Sequence, residues 1–311
     1  MKPSNRWAVN DGGRVPVGRV AKRTLRRRLE AVWKELPRAG SEKHRDPESV
    51  HQLRVASRRA IAAIDAFRDL LPAKQREWFE KQLRRVRRAA GEARDLDVLT
   101  DRLAGTTAGD HGAGRTGRAR SRLVAMLSKQ RDVSRQPIRD RYERLLERDW
   151  PGHLERLLDA LPAGDGQPTF GEYARRRFRP MVGRFFDSAD RRLRSAEEIH
   201  ALRIEGKRLR YALEIFATVF PARVRNRCYE SLERLQETLG DFTDHASAAD
   251  RFRRWADDKN AATNRDTLER LRDEEETLAD QARRVFAKWW NPSRRRALRR
   301  SFEQTLRRRS A

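Results

Sequence analysis

Two short segments of the sequence place a histidine at the head of a row of cations with helical spacing. They are HQLRVASRR (51–59) and HALRIEGKRLR (200–210), and their residues at positions i, i+3 and i+7 are His51, Arg54 and Arg58 in the first and His200, Arg203 and Lys207 in the second. Side chains at this spacing share one face of an α-helix, where like charges repel one another by roughly a few tenths of a kcal/mol per pair. Because arginine binds phosphate or carboxylate oxygens in a bidentate manner, the pattern predicts an anion site.

The histidine of each row is suited to donate a hydrogen bond only when an anion is present. Neighbouring guanidinium groups disfavour its protonation, whereas a bound phosphate favours protonation and makes the ring a further donor. A single histidine of this kind is more often structural. The equivalence of His51 and His200 in two similar rows favours the binding role.

The elements that carry the rows are predicted to be amphipathic helices. At about 100° per residue, apolar side chains fall on the face opposite the cations in both segments. These side chains are Leu53, Ala56, Ala60, Ile64, Phe67 and Leu71 in the first segment and Leu202, Leu209, Leu213, Phe216 and Phe220 in the second. The apolar faces are expected in the core, and Arg59, Arg208 and Arg210 join the basic faces.

The two segments belong to a longer internal repeat. With a shift of 149 residues, residues 51–103 align without a gap with residues 200–252, and 15 of the 53 pairs are identical. A repeat at one fixed offset indicates a duplicated structural unit.

Helical periodicity covers nearly the whole chain, and strand patterns are nearly absent. Proline and glycine breaks separate eight predicted helices, at about 15–36, 48–70, 74–104, 118–147, 169–192, 196–219, 222–256 and 265–289. The predicted organisation is a flexible N-terminus (1–14), a first four-helix half (15–148), a linker (149–168), a second four-helix half (169–290) and a basic C-terminal tail (291–311). The tail either binds a polyanion or is a flexible charged end.

Basic residues on further helices extend the candidate site. The repeat offset places the triplet 26–28 over the triplet 175–177, and the predicted helix 74–104 carries cations that its copy mostly lacks. The candidate anion ligands from these helices are Arg27, Arg28, Arg176, Lys81, Arg85 and Arg88.

Two aspartates also occupy equivalent positions, Asp95 and Asp244. Paired carboxylates can hold Mg²⁺ or act as acid and base. An aspartate close to arginines more simply orients them through charged hydrogen bonds, and we expect that role here.

The sequence assigns no catalytic residue, metal site or other cofactor. The histidines of the rows lie among fixed cations, and no His-x-x-x-His or Cys-x-x-Cys spacing occurs. His44, His111 and His153 fall in loop-like or linker segments, and His245 has no neighbour at ligand spacing. No P-loop and no Gly-x-Ser-x-Gly is present.

The composition agrees with a polyanion-binding protein. The 311 residues include 72 Lys and Arg against 46 Asp and Glu, a net charge of +26, and 62 of the cations are arginine. Biased codon usage is an alternative reason for the ratio of arginine to lysine but not for the net excess. Nucleic acid, an anionic membrane or a phosphate polymer commonly offsets such an excess.

The compartment is expected to be the cytoplasm. The single cysteine, Cys228, permits no intrachain disulfide and is expected in the core. No stretch approaches the roughly 18 consecutive apolar residues of a membrane span, and the first residues lack the apolar centre of a signal peptide. No membrane partner is therefore predicted.

These residues resemble the CHAD family, the conserved-histidine α-helical domain. The resemblance lies in VHQLRVASRRAIAAIDAF (50–67) and ARDLDVLTDRL (93–103), and again in IHALRIEGKRLRYALEIF (199–216) and LERLQETLGDF (232–242). It covers roughly residues 15–290. The specific feature is the His-x-x-Arg-x-x-x-Arg/Lys-Arg pattern, which occurs twice.

The resemblance implies an all-α fold of two pseudo-symmetric four-helix bundles around a basic central groove or pore. It also implies non-catalytic binding of inorganic polyphosphate and association with polyphosphate granules. The basic positions carried over by motif are His51, Arg54, Arg58, Arg59, His200, Arg203, Lys207, Arg208 and Arg210. The first copy departs at Ile61, where the second has Arg210.

Two alternatives to this function stay open. A nucleic-acid-binding protein fits the charge but lacks a recognition-helix motif and exposed aromatic platforms. A metal-dependent polyphosphatase has less support, because no Glu-x-Glu-x-Lys strand of the triphosphate-tunnel domains fused to many relatives is present.

Overall fold

The computed structural model describes residues 12–41, 46–107, 115–163, 166–191, 193, 195–258 and 265–307. All regular secondary structure in these ranges is helical, apart from one isolated bridge between Pro16 and Thr169. The all-α prediction is therefore confirmed. The α-helices are α1 (Val17–Gly40), α2 (Pro47–Ala66), α3 (Ala73–Ala89), α4 (Gly91–Thr107), α5 (Arg115–Val133), α6 (Gln136–Glu147), α7 (Trp150–Asp159), α8 (Phe170–Ala189), α9 (Ala196–Phe216), α10 (Ala222–Ala256), α11 (Arg265–Trp289) and α12 (Pro292–Arg307).

The chain divides into two compact units. Residues Ala21–Ala163 form one, here called the N-terminal unit, and Met1–Val20 with Gly164–Ala311 form the other, here called the C-terminal unit. Helices α2 to α7 and most of α1 belong to the N-terminal unit. Helices α8 to α12 belong to the C-terminal unit.

The predicted apolar faces of the two repeated helices are buried. All predicted core residues of the first segment are buried except Ala56, which is half-buried, and all five of the second segment are buried. Phe67 and Leu71 lie beyond the end of α2, and Phe220 lies beyond the end of α9. Cys228 is also fully buried, as predicted. The spacing of apolar residues was thus sufficient to predict which face of each of these two helices is buried.

The N-terminal unit contains more helices than predicted. The predicted helix 74–104 is interrupted at Ala90, between α3 and α4, and the predicted helix 118–147 is interrupted between α5 and α6. The second interruption has a packing reason, because Arg135 beyond α5 is 1% exposed and donates through Nη2 to the carbonyl of Asp46 (3.1 Å).

The predicted linker 149–168 contains the helix α7. Asp149 adopts a left-handed conformation (φ 53°) and accepts a hydrogen bond from the Gly152 backbone N–H, so that it caps the helix. Trp150 is fully buried, stacked on Trp33 with 6.0 Å between ring centroids and edge-on to Phe79 at 4.9 Å. The predicted end of the helix before this linker is present, but the burial of Trp150 makes the residues that follow it part of the core.

The basic tail is also partly structured. Residues Pro292–Arg307 form α12, in which Phe302 is fully buried and packs against Phe178 (5.9 Å) and Phe186 (6.1 Å). The tail was expected either to bind a polyanion or to be a flexible charged end. Residues 292–307 are not a flexible end, because the apolar face of α12 secures them to the C-terminal unit, and binding of a polyanion by the tail stays a prediction. Arg308 and Arg309 lie outside the described residues.

A close approach of α9 and α10 depends on a glycine. A Cβ added at Gly206 would lie 2.8 Å from Cδ2 of Leu235, and the side-chain amide of Gln236 donates to the Gly206 carbonyl (3.0 Å). A Cβ at position 206 would therefore require the Leu235 side chain to shift where α9, which carries the second basic row, approaches α10. Across the described ranges, no helix is long and apolar enough to cross a membrane.

Candidate anion-binding site

Both repeated helices begin at a defined cap, which fixes where the histidine lies. Asp46 accepts a hydrogen bond from the Glu48 backbone N–H (2.9 Å) at the start of α2, and Pro47 occupies the first helical position. Ser195 and Glu198 form a capping box at the start of α9. The histidine is consequently the fifth residue of its helix in both units.

His51 is half-buried among cations. Burial is the main cause that lowers its pKa, followed by the charge of Arg94, and Arg58 and Arg54 lower it further while Glu48 opposes them. The mutual influence of His51, Arg54 and Arg58 confirms that these predicted residues share one face. The free imidazole is therefore held in its neutral form more strongly than an exposed histidine.

Arg54 is bound to the C-terminal end of α3. Its Nη1 donates to the carbonyl oxygens of Ala90 (3.3 Å) and Arg87 (3.4 Å), two of the carbonyls that a helix end leaves without an internal partner. Burial and the charge of Arg58 lower the pKa of Arg54 to about 10, and Asp95 opposes this shift. The guanidinium remains charged at neutral pH.

The structure adds two arginines that the sequence did not select. Arg87 on α3 and Arg94 on α4 both lower the pKa of Arg54. The resulting set, here called the N-terminal cluster, comprises His51, Arg54, Arg58, Arg87 and Arg94. The sequence offers a signal for each, since Arg87 lies in a basic stretch and Arg94 is adjacent to the repeated Asp95. Their approach to Arg54 depends on the interruption of the helix at Ala90, which was not predicted.

A buried carboxylate lies next to this cluster. Asp97 is 0% exposed, and its Oδ1 lies 3.7 Å from Nε of Arg131. Burial raises the pKa of Asp97, while Arg135, Arg131 and Arg94 oppose that shift. Asp97 thus links Arg94 electrostatically to the arginines of α5 and of the residues that follow it.

The second row forms a smaller group, here called the C-terminal cluster, that comprises His200, Arg203 and Lys207. His200 is exposed, and Arg203 and Lys207 are half-buried. Nη2 of Arg203 lies 3.5 Å from Oδ1 of Asp244 on α10, in an ion pair. The expectation that the repeated aspartate orients an arginine is confirmed for this pair.

Arg210 has a different role from the predicted one. Its Nε donates to Gln236 (2.9 Å), its Nη1 donates to the Tyr229 hydroxyl (2.7 Å), and its guanidinium lies over the ring of Tyr211 at 4.8 Å. It also pairs at 3.5 Å with Glu214, which is 1% exposed. Arg210 therefore holds α9 to α10 and compensates a buried carboxylate.

The remaining predicted ligands of α1, α2, α8 and α9 differ in their exposure and in their partners. Arg28 is 7% exposed, and Arg27 is exposed on the same helix. Arg176 is exposed and lies over the ring of Tyr173 at 5.5 Å. Arg208 is exposed and pairs with Glu205 at 2.5 Å, and Arg59 is half-buried.

The predicted ligand Arg85 of α3 interacts with α6. Burial is the main cause that lowers the pKa of Arg141 on α6, and the charges of Arg85, Arg144 and Arg148 lower it further while Asp140 opposes them. Lys81 and Arg88 lie four residues before and three after Arg85, so they share its side of α3. Arg87, by contrast, is the α3 residue that approaches the N-terminal cluster.

The other histidines have structural surroundings. His153, expected in a linker, lies in α7 and stacks on Trp78 with 3.8 Å between ring centroids. Nδ1 of His245 lies 2.6 Å from Glu275, which joins α10 to α11. His44 and His111 lie outside the described residues, and within them no group of three or more His, Cys, Asp or Glu could hold a metal ion.

The sequence matches the model of a known protein family. A family model described as the CHAD domain matches residues 23–253, well over half of the chain. No curated protein matches the sequence.

Solved structures that resemble most of the chain include the following two. The crystal structure of the CHAD domain from the plant Ricinus communis has a TM-score of 0.72 and 22% sequence identity, over 96% of this chain and 95% of that one. PptA from Streptomyces chartreusis has a TM-score of 0.60 and 17% identity, over 88% of this chain and 99% of that one. At these identities the likeness concerns the fold alone.

Proposed function

The chain belongs to the CHAD domain family, and we propose that its N-terminal and C-terminal clusters bind inorganic polyphosphate without cleaving it. Polyphosphate binding is a general property of this family. The observation that carries the proposal for this chain is the N-terminal cluster. Burial and the charges of Arg94, Arg58 and Arg54 lower the pKa of the half-buried His51, and burial with the charges of Arg58, Arg87 and Arg94 lowers that of Arg54. Such mutual repulsion is relieved when an anion binds among the cations.

The geometry of the N-terminal cluster suits a phosphate chain. Arg54 is held by the end of α3, so its charge is fixed in place before a ligand arrives. Preorganised guanidinium groups form short charged hydrogen bonds with phosphate oxygens. The negative charge of a bound phosphate favours protonation of His51, and the protonated ring then donates a further hydrogen bond.

The C-terminal cluster supplies the same three positions with a more open geometry. His200 is exposed at the start of α9, and Arg203 is oriented by Asp244. We infer that both clusters bind segments of a polyphosphate chain and that this binding recruits the protein to polyphosphate granules.

The surroundings of the repeated rows favour polyphosphate over nucleic acid. Single-stranded nucleic acid is commonly bound by stacking of its bases on exposed aromatic rings. On α2 and α9 the aromatic side chains are Phe67, Tyr211 and Phe216, and all three are buried. A site rich in arginine without exposed rings matches a polymer that has phosphates and no bases.

A competition experiment tests the proposal. Labelled long-chain polyphosphate is bound to the full chain, and a single-stranded oligonucleotide or a DNA duplex is added at the same concentration of phosphate groups. We expect polyphosphate to stay bound. Displacement at matched phosphate concentration would show that the protein is a general nucleic-acid binder.

The same preparation separates binding from catalysis. Incubation with polyphosphate and Mg²⁺ or Mn²⁺ is expected to release no orthophosphate over the hours in which binding is stable. Continuous release that a chelator abolishes would instead identify a metal-dependent polyphosphatase.

A further inference from the structure

The N-terminal unit carries a second group of cations, on α3 and α6. Arg141, Arg144 and Arg148 follow one another at i, i+3 and i+7, the spacing of His51, Arg54 and Arg58 on α2. Arg85 of α3 joins them, since it is the first of the charges that lower the pKa of Arg141. We call these four residues, with Lys81 and Arg88 on the same side of α3, the α3–α6 patch.

The α3–α6 patch and the N-terminal cluster lie on different flanks of α3. Arg85 and Arg87 are two residues apart, which is about 200° around a helix axis. Arg87 approaches Arg54, whereas Arg85 approaches Arg141. Because the α3–α6 patch and the N-terminal cluster lie on different flanks of α3, a phosphate group bound by one of them does not contact the other.

The cations of the patch lack the carboxylate partners that neutralise other arginines of this unit. Within the described part of the chain, Arg85, Arg141, Arg144 and Arg148 form no ion pair, whereas Arg26 is bound bidentately by Glu155 at 2.7 Å. Glu143 lies about 200° around α6 from Arg141, on another face. Asp140 is the one carboxylate among the main influences on the pKa of Arg141, and it is the smallest of them, so most of the repulsion within the patch is left for a ligand to relieve.

A buried donor in the patch is also without a partner. The Nε atom of Arg141 is buried and has no hydrogen bond among the described residues. Arg141 and Arg85 are half-buried, and Arg144 and Arg148 are exposed. The patch therefore combines two partly desolvated guanidinium groups with two that extend into solvent, an arrangement that favours an extended anion over a single small ion.

We infer that the α3–α6 patch is a second polyphosphate-binding face of the N-terminal unit, separate from the repeated motif. The inference rests on the proposed function for the identity of the anion. Its consequence is bivalent binding: a long chain contacts both faces, while a short chain occupies one. Linking two sites through one polymer raises the apparent affinity well above that of either site.

The test uses the full chain, three variants and the combination of two of them. The patch variant is Arg141→Gln with Arg144→Gln and Arg148→Gln. Its control, Arg223→Gln with Arg227→Gln and Arg284→Gln, removes the same charge from exposed positions of α10 and α11. The motif variant is Arg58→Glu with Lys207→Glu. Far-UV circular dichroism and thermal unfolding show that each is folded, and relief of repulsion is expected to leave the patch variant at least as stable as the wild type.

Affinities are measured for long-chain polyphosphate and for tripolyphosphate. We expect the patch variant to bind the long chain about ten-fold more weakly than the control does. Its affinity for tripolyphosphate should fall much less, because the motif clusters still bind the short chain. Residual long-chain binding of the motif variant should disappear when the patch substitutions are added.

The outcomes distinguish the two proposals. If the patch variant binds long-chain polyphosphate as tightly as its control while the motif variant binds it weakly, the inference of a second binding face is wrong and the proposed function stands. If the patch variant and the motif variant both bind long-chain polyphosphate as tightly as the control, the inference of a second face and the proposed function are both wrong. If the patch variant loses binding of a single-stranded oligonucleotide and keeps its polyphosphate affinity, the patch serves nucleic acid and the inference is overturned.

Discussion

Arg203 and Asp244 form an ion pair across α9 and α10, with 3.5 Å between Nη2 and Oδ1. The residues 149 positions earlier, Arg54 and Asp95, interact in the same sense, since Asp95 opposes the lowering of the Arg54 pKa. Each basic row therefore carries its own carboxylate. The aspartate stabilises the charged arginine and also competes with an anionic ligand for it.

Neutralising that aspartate is expected to strengthen polyphosphate binding. In Asp244→Asn the amide can still accept a hydrogen bond from Arg203, but a negative charge next to the ligand is removed. Partly exposed ion pairs contribute at most about 1 kcal/mol, so the fold should be little affected. We expect the affinity to rise by about two- to five-fold, measured by fluorescence anisotropy. Asp187→Asn, at an exposed position of α8, is the control, and weaker binding by Asp244→Asn would mean that positioning of Arg203 outweighs charge.

Charge reversal in the two rows should weaken binding most where the side chain does not also hold a helix end. Arg54 is bound to carbonyls of α3, so the variant chosen is Arg58→Glu with Lys207→Glu, which leaves that contact in place. We expect at least a ten-fold loss of polyphosphate affinity and a shallower dependence on salt, because fewer counterions are released. Titrations at several salt concentrations give both quantities.

The control for this prediction is a double charge reversal in the C-terminal tail. Arg308→Glu with Arg309→Glu alters the net charge by the same amount. Equal losses from the two double variants would indicate binding by overall charge and not by a site.

Binding is expected to strengthen as the pH falls, through His51. Its pKa is lowered in the free protein by burial and by Arg94, Arg58 and Arg54, with Glu48 opposing. A bound phosphate raises it again, so binding takes up a proton, and affinity increases as the pH falls below the pKa of the bound state. Isothermal titration calorimetry from about pH 8 to about pH 5, in buffers of different ionisation enthalpy, measures the affinity and the proton uptake.

The variant His51→Gln isolates this contribution. Titration of the polyphosphate end groups affects both proteins equally, so the difference between them reports on the histidine. Identical proton uptake by wild type and His51→Gln would exclude His51 as the linked group.

Removal of Arg210 should lower stability more than it lowers binding. Glu214 is 1% exposed and pairs with Arg210 at 3.5 Å, so Arg210→Met leaves a buried carboxylate without its cation. Breaking a buried pair in this way costs about 3–5 kcal/mol. The free energy of unfolding in urea measures the loss, and Arg208→Met, at an exposed position of the same helix, is the control. A large loss of affinity in folded Arg210→Met, with unchanged stability, would restore Arg210 as a ligand.

The sequence by itself determined the helical class, the repeat and the composition of each basic row. These features are local, because a spacing of three, four or seven residues fixes which side chains share a face of one helix whatever surrounds it. His51, Arg54 and Arg58 accordingly interact as predicted. The burial of Leu53 and Leu202 follows from the same periodicity.

Only the tertiary structure decided which helices meet at each row. The interruption at Ala90 directs Arg94 of α4 to the N-terminal cluster, and contacts between α9 and α10 engage Arg210 with Glu214. Arg85 and Arg87 differ by two positions in one basic stretch, yet they belong to different groups. The physical reason is that neighbouring helices are selected by burial of apolar faces far apart in the chain, and the charged side chains follow that packing without determining it.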